Sequence, residues 1–187
     1  MEKPKTYCEA VLGMDPGNVH VHYHNKEYGF PIDNDNELFA RLVLEINQAG
    51  LSWSTILNKK DNFFRAYDQF EINKVARYTQ KQKDRLLGDA GIIRNNLKID
   101  AAIANAKTIQ ILQKEYGSFK NWLDFNHPKS KEQWMKLFKA HFKFTGGEIV
   151  NEFLMSTGYL PGAHSPSCPV YKKVLTQKPA WHIKKAK

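Results

Sequence analysis

The chain holds two cysteines, Cys8 and Cys168, close to opposite ends of its 187 residues. Cys168 closes the stretch HSPSC, a His-x-x-x-Cys spacing that lets His164 and Cys168 reach one ion from a short turn stiffened by Pro166 and Pro169. Cys8 is followed by HVHYH, which offers His20, His22 and His24. Thiolate and imidazole are ligands that zinc favours, so the two ends invite a metal reading. On spacing alone a disulfide and plain burial stay open for the same residues, the disulfide being disfavoured in a reducing compartment.

A second group of candidates lies in LEINQAGLSW, residues 44–53. Glu45 follows Leu42 by three residues and Leu38 by seven, so helical spacing puts its carboxylate at the edge of an apolar face rather than out in water. Such a carboxylate either pairs with a buried arginine or caps a helix, or it is held in a pocket walled by Trp53, with AGLSW turning the chain sharply between them. A third candidate is GDAGII, residues 88–93, a turn between two helical patterns. A hairpin of this kind can aim backbone N–H groups, and the positive end of the next helix, at a DNA phosphate. Gly88 and Gly91 are separated by two residues, wider than a Gly-x-Gly hairpin, and Arg94, Asn95 and Lys98 follow them.

The elements that must position these groups read as helices. Asn34 stands three residues before Glu37, a capping-box spacing, and Leu38, Phe39, Leu42, Val43 and Ile46 share one face of the helix that follows. Residues 79–91 form a helical pattern ending in glycines, and the pattern resumes through Ala102, Ala106, Ile109 and Leu112 to a stop at Gly117. Shorter helices are predicted at 119–125, 131–141 and 146–157. No segment has sustained strand alternation, so the fold class is all-α.

Hydrophobic residues make up 42% of the chain, enough for one packed domain, predicted over residues 1–178, with a basic tail at 179–187. The net charge of +9 favours a polyanionic partner, although part of the excess lies in the tail HIKKAK. No apolar run approaches a membrane span and MEKPKTYCEA has no apolar leader, so a cytoplasmic protein without a membrane partner is expected.

Four blocks in order, YHNKEYGFP (23–31), LEINQAGLSWSTILNKK (44–60), DAGIIRNNLKIDAAIANA (89–106) and FKFTGG (142–147), resemble the 3-methyladenine DNA glycosylase I family, and the match runs from Cys8 to Cys168. The resemblance implies a helix-hairpin-helix glycosylase fold and hydrolysis of the N-glycosidic bond of 3-methyladenine in alkylated double-stranded DNA, by a monomer. It implies that Glu45 contacts the extruded base and that Tyr23, Trp53, His20 and Tyr28 line its pocket. His20 stands where the family usually has tyrosine, and Tyr28 where it has tryptophan. The hairpin contacts to DNA fall on Gly88, Gly91, Ile92, Arg94 and Lys98, while Asp100 is an ordinary helical residue. The resemblance also implies one structural zinc on Cys8, His24, His164 and Cys168, with His20 and His22 as alternative imidazoles. Methylation at N3 leaves adenine cationic, so an electron-rich ring and a carboxylate suit its recognition. No lysine is marked by its context as a nucleophile, which favours water as the acceptor. Two rival readings are a non-catalytic, zinc-stapled DNA-binding module of the same fold and a helical adaptor for an acidic protein.

Overall fold

The computed structural model describes residues 6–183; within them the chain is all-helical, with no strand. The helices are α1 (Tyr7–Leu12), α2 (Val19–Lys26), α3 (Asp35–Gln48), α4 (Trp53–Ala66), α5 (Ile72–Val75), α6 (Gln80–Gly88), α7 (Asn96–Tyr116), α8 (Phe119–Asn126), α9 (Lys131–His141), α10 (Gly147–Ser156) and α11 (Pro169–Thr176). Short 3-10 turns occur at Asp68–Phe70 and Ala180–His182. No helix among the described residues is long and apolar enough to cross a membrane. Of the basic tail predicted at 179–187, residues 184–187 lie outside the described residues.

The chain divides into two compact units, one made of residues 33–153 and the other of residues 1–32 together with 154–187. In the unit of 33–153, α3 is the central element and packs against α4, α5, α7 and α8. Its start is fixed as the sequence predicts: the Asn34 side chain accepts from the amides of Asn36 and Glu37. Asp35 then ties three helices at once, accepting from Gln113 Nε2 at the end of α7 and from the Phe119 and Lys120 amides that open α8. Leu38, Phe39, Leu42, Val43 and Ile46 have no exposed surface. Burial of each such side chain contributes roughly 1.5–3 kcal/mol.

Sequence-predicted helices at 79–91, 119–125, 131–141 and 146–157 correspond to α6, α8, α9 and α10. Capping boxes at Thr79–Gln82 and Ser130–Gln133 explain where α6 and α9 begin. The long helix α7 starts at Asn96, because Asn95 caps it by accepting from the Lys98 amide. Phe119, Trp122, Phe138, Phe142 and Phe153 interlock around the ends of α8, α9 and α10, with ring centroids 5.2–6.3 Å apart.

In the other unit, α1, α2 and α11 surround a small core of Cys8, Cys168, Val170 and Val174, against which Phe30 and Tyr171 pack. Gly29 lets the chain after α2 approach closely. Its φ is +81°, and a Cβ there would lie 2.7 Å from the Ala163 Cβ and 3.3 Å from the His164 ring.

Candidate functional site

Glu45 sits deep in the unit of 33–153. It lies near the end of α3, only 4% exposed, and its neighbours Arg41, Leu44 and Asn47 are buried as well. The sequence places it at the edge of an apolar face, whereas the structure buries α3 all round from Leu38 to Asn47. Burial drives the Glu45 carboxyl up to about 8; Arg41, one turn earlier on the same helix, pulls it down, and the Glu152 carboxylate raises it further. The buried arginine considered as a partner for Glu45 therefore exists, but burial outweighs it. Asn47 donates to the Val43 carbonyl, and its Oδ1 is buried with no hydrogen-bond partner among the described residues.

The turn from α3 to α4 is tightly built. Gly50 adopts φ +80°, the Leu51 amide donates to Gln48 O, Gln48 Nε2 donates to Leu51 O, and Ser52 caps α4. Trp53, the first residue of α4, is half-buried, and Leu51 beside it is 38% exposed. Lys98 holds this end of α3 from the first turn of α7: its buried ammonium donates to the carbonyls of Asn47 and Ala49 at 2.9 and 2.7 Å. A cation on the terminal carbonyls of a helix also complements its dipole. This differs from the phosphate contact expected of Lys98, because the side chain turns inward to satisfy orphaned carbonyls rather than outward to solvent.

The hairpin between α6 and α7 divides the other expected DNA contacts. Gly88 and Arg94 are exposed. Ile92 is a core anchor, 3% exposed. The Gly91 amide donates to Asp89 Oδ1 and the Ile92 amide to Asp89 O, so both are engaged inside the turn rather than free for a phosphate. Lys59 and Asn62 of α4 brace the loop by donating to Ala90 O and Gly91 O. Asp100 pairs with Lys83 at 2.6 Å, an ordinary helix-surface ion pair.

The other unit brings Cys8, His24, His164 and Cys168 together. All four are buried, and one ligand atom from each lies within 4.8 Å of the others. Cys8 Sγ is 3.6 Å from His164 Nδ1, and Cys168 Sγ is 3.6 Å from both His164 Nδ1 and His24 Nε2. Outer partners fix both rings: His24 Nδ1 bonds Asn25 Oδ1 at 2.8 Å, and His164 Nε2 bonds the Tyr28 carbonyl at 2.7 Å. Each ring thus donates outward and turns its lone pair toward the thiols. Burial lowers His164 and raises the Cys168 thiol above its ordinary value. His20 bonds the Tyr7 hydroxyl, while His22 is 72% exposed beside Glu27, so neither alternative imidazole joins the group. Neither cysteine is in a disulfide. The cluster can hold a metal. Sequence reasoning missed both outer acceptors: the Tyr28 carbonyl carries no residue signature, and Asn25 reads as an ordinary polar residue of α2.

Of the remaining aromatic candidates, Tyr23 and Tyr28 are buried with ring centroids 5.5 Å apart. Tyr28 also packs edge-on against Tyr7 and His164, so it belongs to the wall of the Cys/His cluster.

A family model described as methyladenine glycosylase matches residues 14–136. DNA-3-methyladenine glycosylase 1 of Escherichia coli (strain K12) is 34% identical over 179 residues, spanning 86% of this chain and 94% of that protein. The DNA-3-methyladenine glycosylase of Haemophilus influenzae is 31% identical over 171 residues, spanning 81% and 92%. Among solved structures, a variant of 3-methyladenine DNA glycosylase I in complex with 3-methyladenine superposes with a TM-score of 0.77 at 32% identity, over 86% of this chain and 95% of that one. The Staphylococcus aureus 3-methyladenine DNA glycosylase I, solved for the basis of 3-methyladenine recognition, gives 0.76 at 32% identity over 86% and 94%. With the model spanning more than half of the chain and the relatives nearly all of it, the chain belongs to the methyladenine glycosylase family.

Proposed function

We infer that the protein is a DNA glycosylase that removes 3-methyladenine from alkylated double-stranded DNA. The observation that carries this reading is Glu45: a carboxyl buried in the middle of a helical unit, one turn of chain from Trp53, in a member of a family whose relatives are named for this base. A buried carboxyl is costly to keep, and a cationic base is the ligand that repays it. With Glu45 raised to about 8, the free protein holds it mostly protonated at neutral pH. Arrival of the cation favours the carboxylate and expels the proton. Once the glycosidic bond breaks, 3-methyladenine leaves as a neutral base and the advantage of the charge is lost, which assists release.

In the reaction, the bond between N9 of the base and C1′ of the sugar breaks with its electron pair going to the base. Water adds to C1′ and gives up one proton, leaving an abasic sugar with an intact strand. Lys98 is buried against the end of the helix that carries Glu45, and the two carbonyls it caps hold its amine in place, so it does not serve as a Schiff-base nucleophile. Leu51, exposed on the rigid turn beside Trp53, suits the role of a wedge that fills the stack vacated by the flipped nucleotide. That Tyr23, Tyr28 and His20 contact the base rests on their positions in the family blocks alone, since Tyr28 packs on His164 and His20 bonds Tyr7; Arg94 and Gly88 are the exposed hairpin residues suited to phosphate.

For Cys8, His24, His164 and Cys168 the reading is one structural zinc. With Zn–S about 2.3 Å and Zn–N about 2.0 Å, the sulfur-to-nitrogen edge of a tetrahedron is about 3.5 Å, close to the three separations of 3.6 Å in the protein. Four protein ligands leave no position open for water, so the ion would fasten α1, α2 and the start of α11 and take no part in hydrolysis.

Incubation with methylated duplex DNA, followed by chromatography of the freed bases and electrophoresis of the strand, tests the reading. Free 3-methyladenine with an uncut strand is the expected result. Binding without base release, or strand cleavage in the absence of added base, would contradict it.

A further inference from the structure

Lys98 stands where a lysine is costly. It is 5% exposed and makes no ion pair among the described residues, and burial lowers its ammonium below the usual lysine range. It also lies in the first turn of α7, where the positive end of the helix dipole disfavours a cation.

What Lys98 meets in return is the exit of α3. No left-handed residue closes that helix as Gly117 closes α7; Ala49 leaves it at φ −51°, ψ 118°. The last carbonyls of α3 are then shared out. Ile46 O accepts from the Ala49 amide and Gln48 O from the Leu51 amide, while Asn47 O and Ala49 O accept from Lys98 Nζ at 2.9 and 2.7 Å. The Lys98 amide donates to Asn95 Oδ1 at 3.1 Å, so one residue is tied by its backbone to the hairpin and by its side chain to the end of α3.

This exit separates two parts of the candidate site. Glu45 lies before it on α3, and Leu51 and Trp53 come after it on the turn and at the start of α4. A shift of the turn by about 1 Å would move the Trp53 ring and leave the Glu45 carboxyl where it is, and misplacement on that scale can slow a reaction about a hundredfold. On the glycosylase reading, on which this inference rests, we propose that Lys98 is a positioning residue for base removal: it pins the exit of α3 so that Leu51 and Trp53 keep their places relative to Glu45, and it makes no phosphate contact. A cap needed for stability alone would not call for a buried charge, since Gly117 ends the longest helix of the fold without one.

The test uses the full chain and compares the parent with Lys98→Met, which keeps an apolar stem and removes the donors, at a temperature where circular dichroism shows both folded. Single-turnover release of 3-methyladenine from duplex DNA at saturating protein should slow about ten- to a hundredfold. Binding to a duplex carrying a tetrahydrofuran abasic site, followed by anisotropy across a salt series, should keep the parental slope, because a lost phosphate contact would lower it by about 0.9. In hydrogen exchange the Leu51 amide should lose protection while the middle of α7 keeps it. If Lys98→Met does not fold, Lys98→Gln, whose amide can donate to one of the two carbonyls, takes its place with the same expectations. A parental release rate in a folded variant, even one with a lowered unfolding midpoint, reduces Lys98 to a structural cap and overturns the proposal. A salt slope lowered by about 0.9 overturns it as well, by making Lys98 a phosphate contact. A parent that binds DNA yet releases no 3-methyladenine overturns the glycosylase reading instead, so the two failures are distinct.

Discussion

Glu45 costs the fold stability, a cost that the proposed role in base recognition would account for. Its folded value near 8 lies above that of an ordinary glutamate, so between about pH 4.5 and 8 the folded protein binds a proton that the unfolded chain does not. Stability therefore falls as pH rises through that window, by an amount on the order of a few kcal/mol. Glu45→Gln removes the penalty: its unfolding midpoint should match the parent near pH 4.5 and exceed it increasingly toward pH 8. A gap that stays constant with pH would show that Glu45 is not buried as an acid. The alternation of Leu38, Leu42 and Ile46 marks where Glu45 lies on its helix, but not that α3 is covered on every side, since that depends on which helices pack there. Lys98 was illegible for a related reason. Its type reads as a surface charge near a hairpin, and only the folded course of α3 brings two orphaned carbonyls within its reach.

Helix boundaries set by side-chain caps were the most legible elements. Asn34 announces α3, and Gly117 stops α7 as C-cap with φ +84°. By contrast α4 has no such clarity, because the polar run Asn58 to Asn62 interrupts its apolar spacing between Leu57 and Phe63. The Cys/His cluster shows the other limit. His164 and Cys168 announce themselves by spacing, whereas Cys8 and His24 lie 156 and 144 residues from their partners, beyond any local pattern. Resemblance supplied what spacing did not, and the structure brings the four donors together. If the cluster holds zinc, protein purified without added metal should carry about one equivalent per chain. Cys168→Ser should lose that zinc and open residues near α1 and α11 to protease while α3 and α7 stay protected. Protein that is metal-free yet equally protease-resistant at both ends would contradict the zinc assignment.

At the scale of the whole molecule, the net charge of +9 suits a polyanionic substrate, and the two units divide the labour: one holds the carboxyl, the turn and the hairpin, the other the Cys/His cluster. Composition indicated the class of partner, but the base being removed was legible only from the ordered family blocks, because neither net charge nor hydrophobic spacing distinguishes one modified base from another. The central claim is that this fold exists to hold Glu45 against a cationic base. It is tested most directly by single-turnover release of 3-methyladenine from duplex DNA, with the parent and Glu45→Gln compared at pH 7.5. A charge-assisted contact contributes roughly 1.5–3 kcal/mol, so release by Glu45→Gln should be slower by about ten- to a hundredfold although that variant is the more stable of the two. Equal rates for the two proteins would contradict the account.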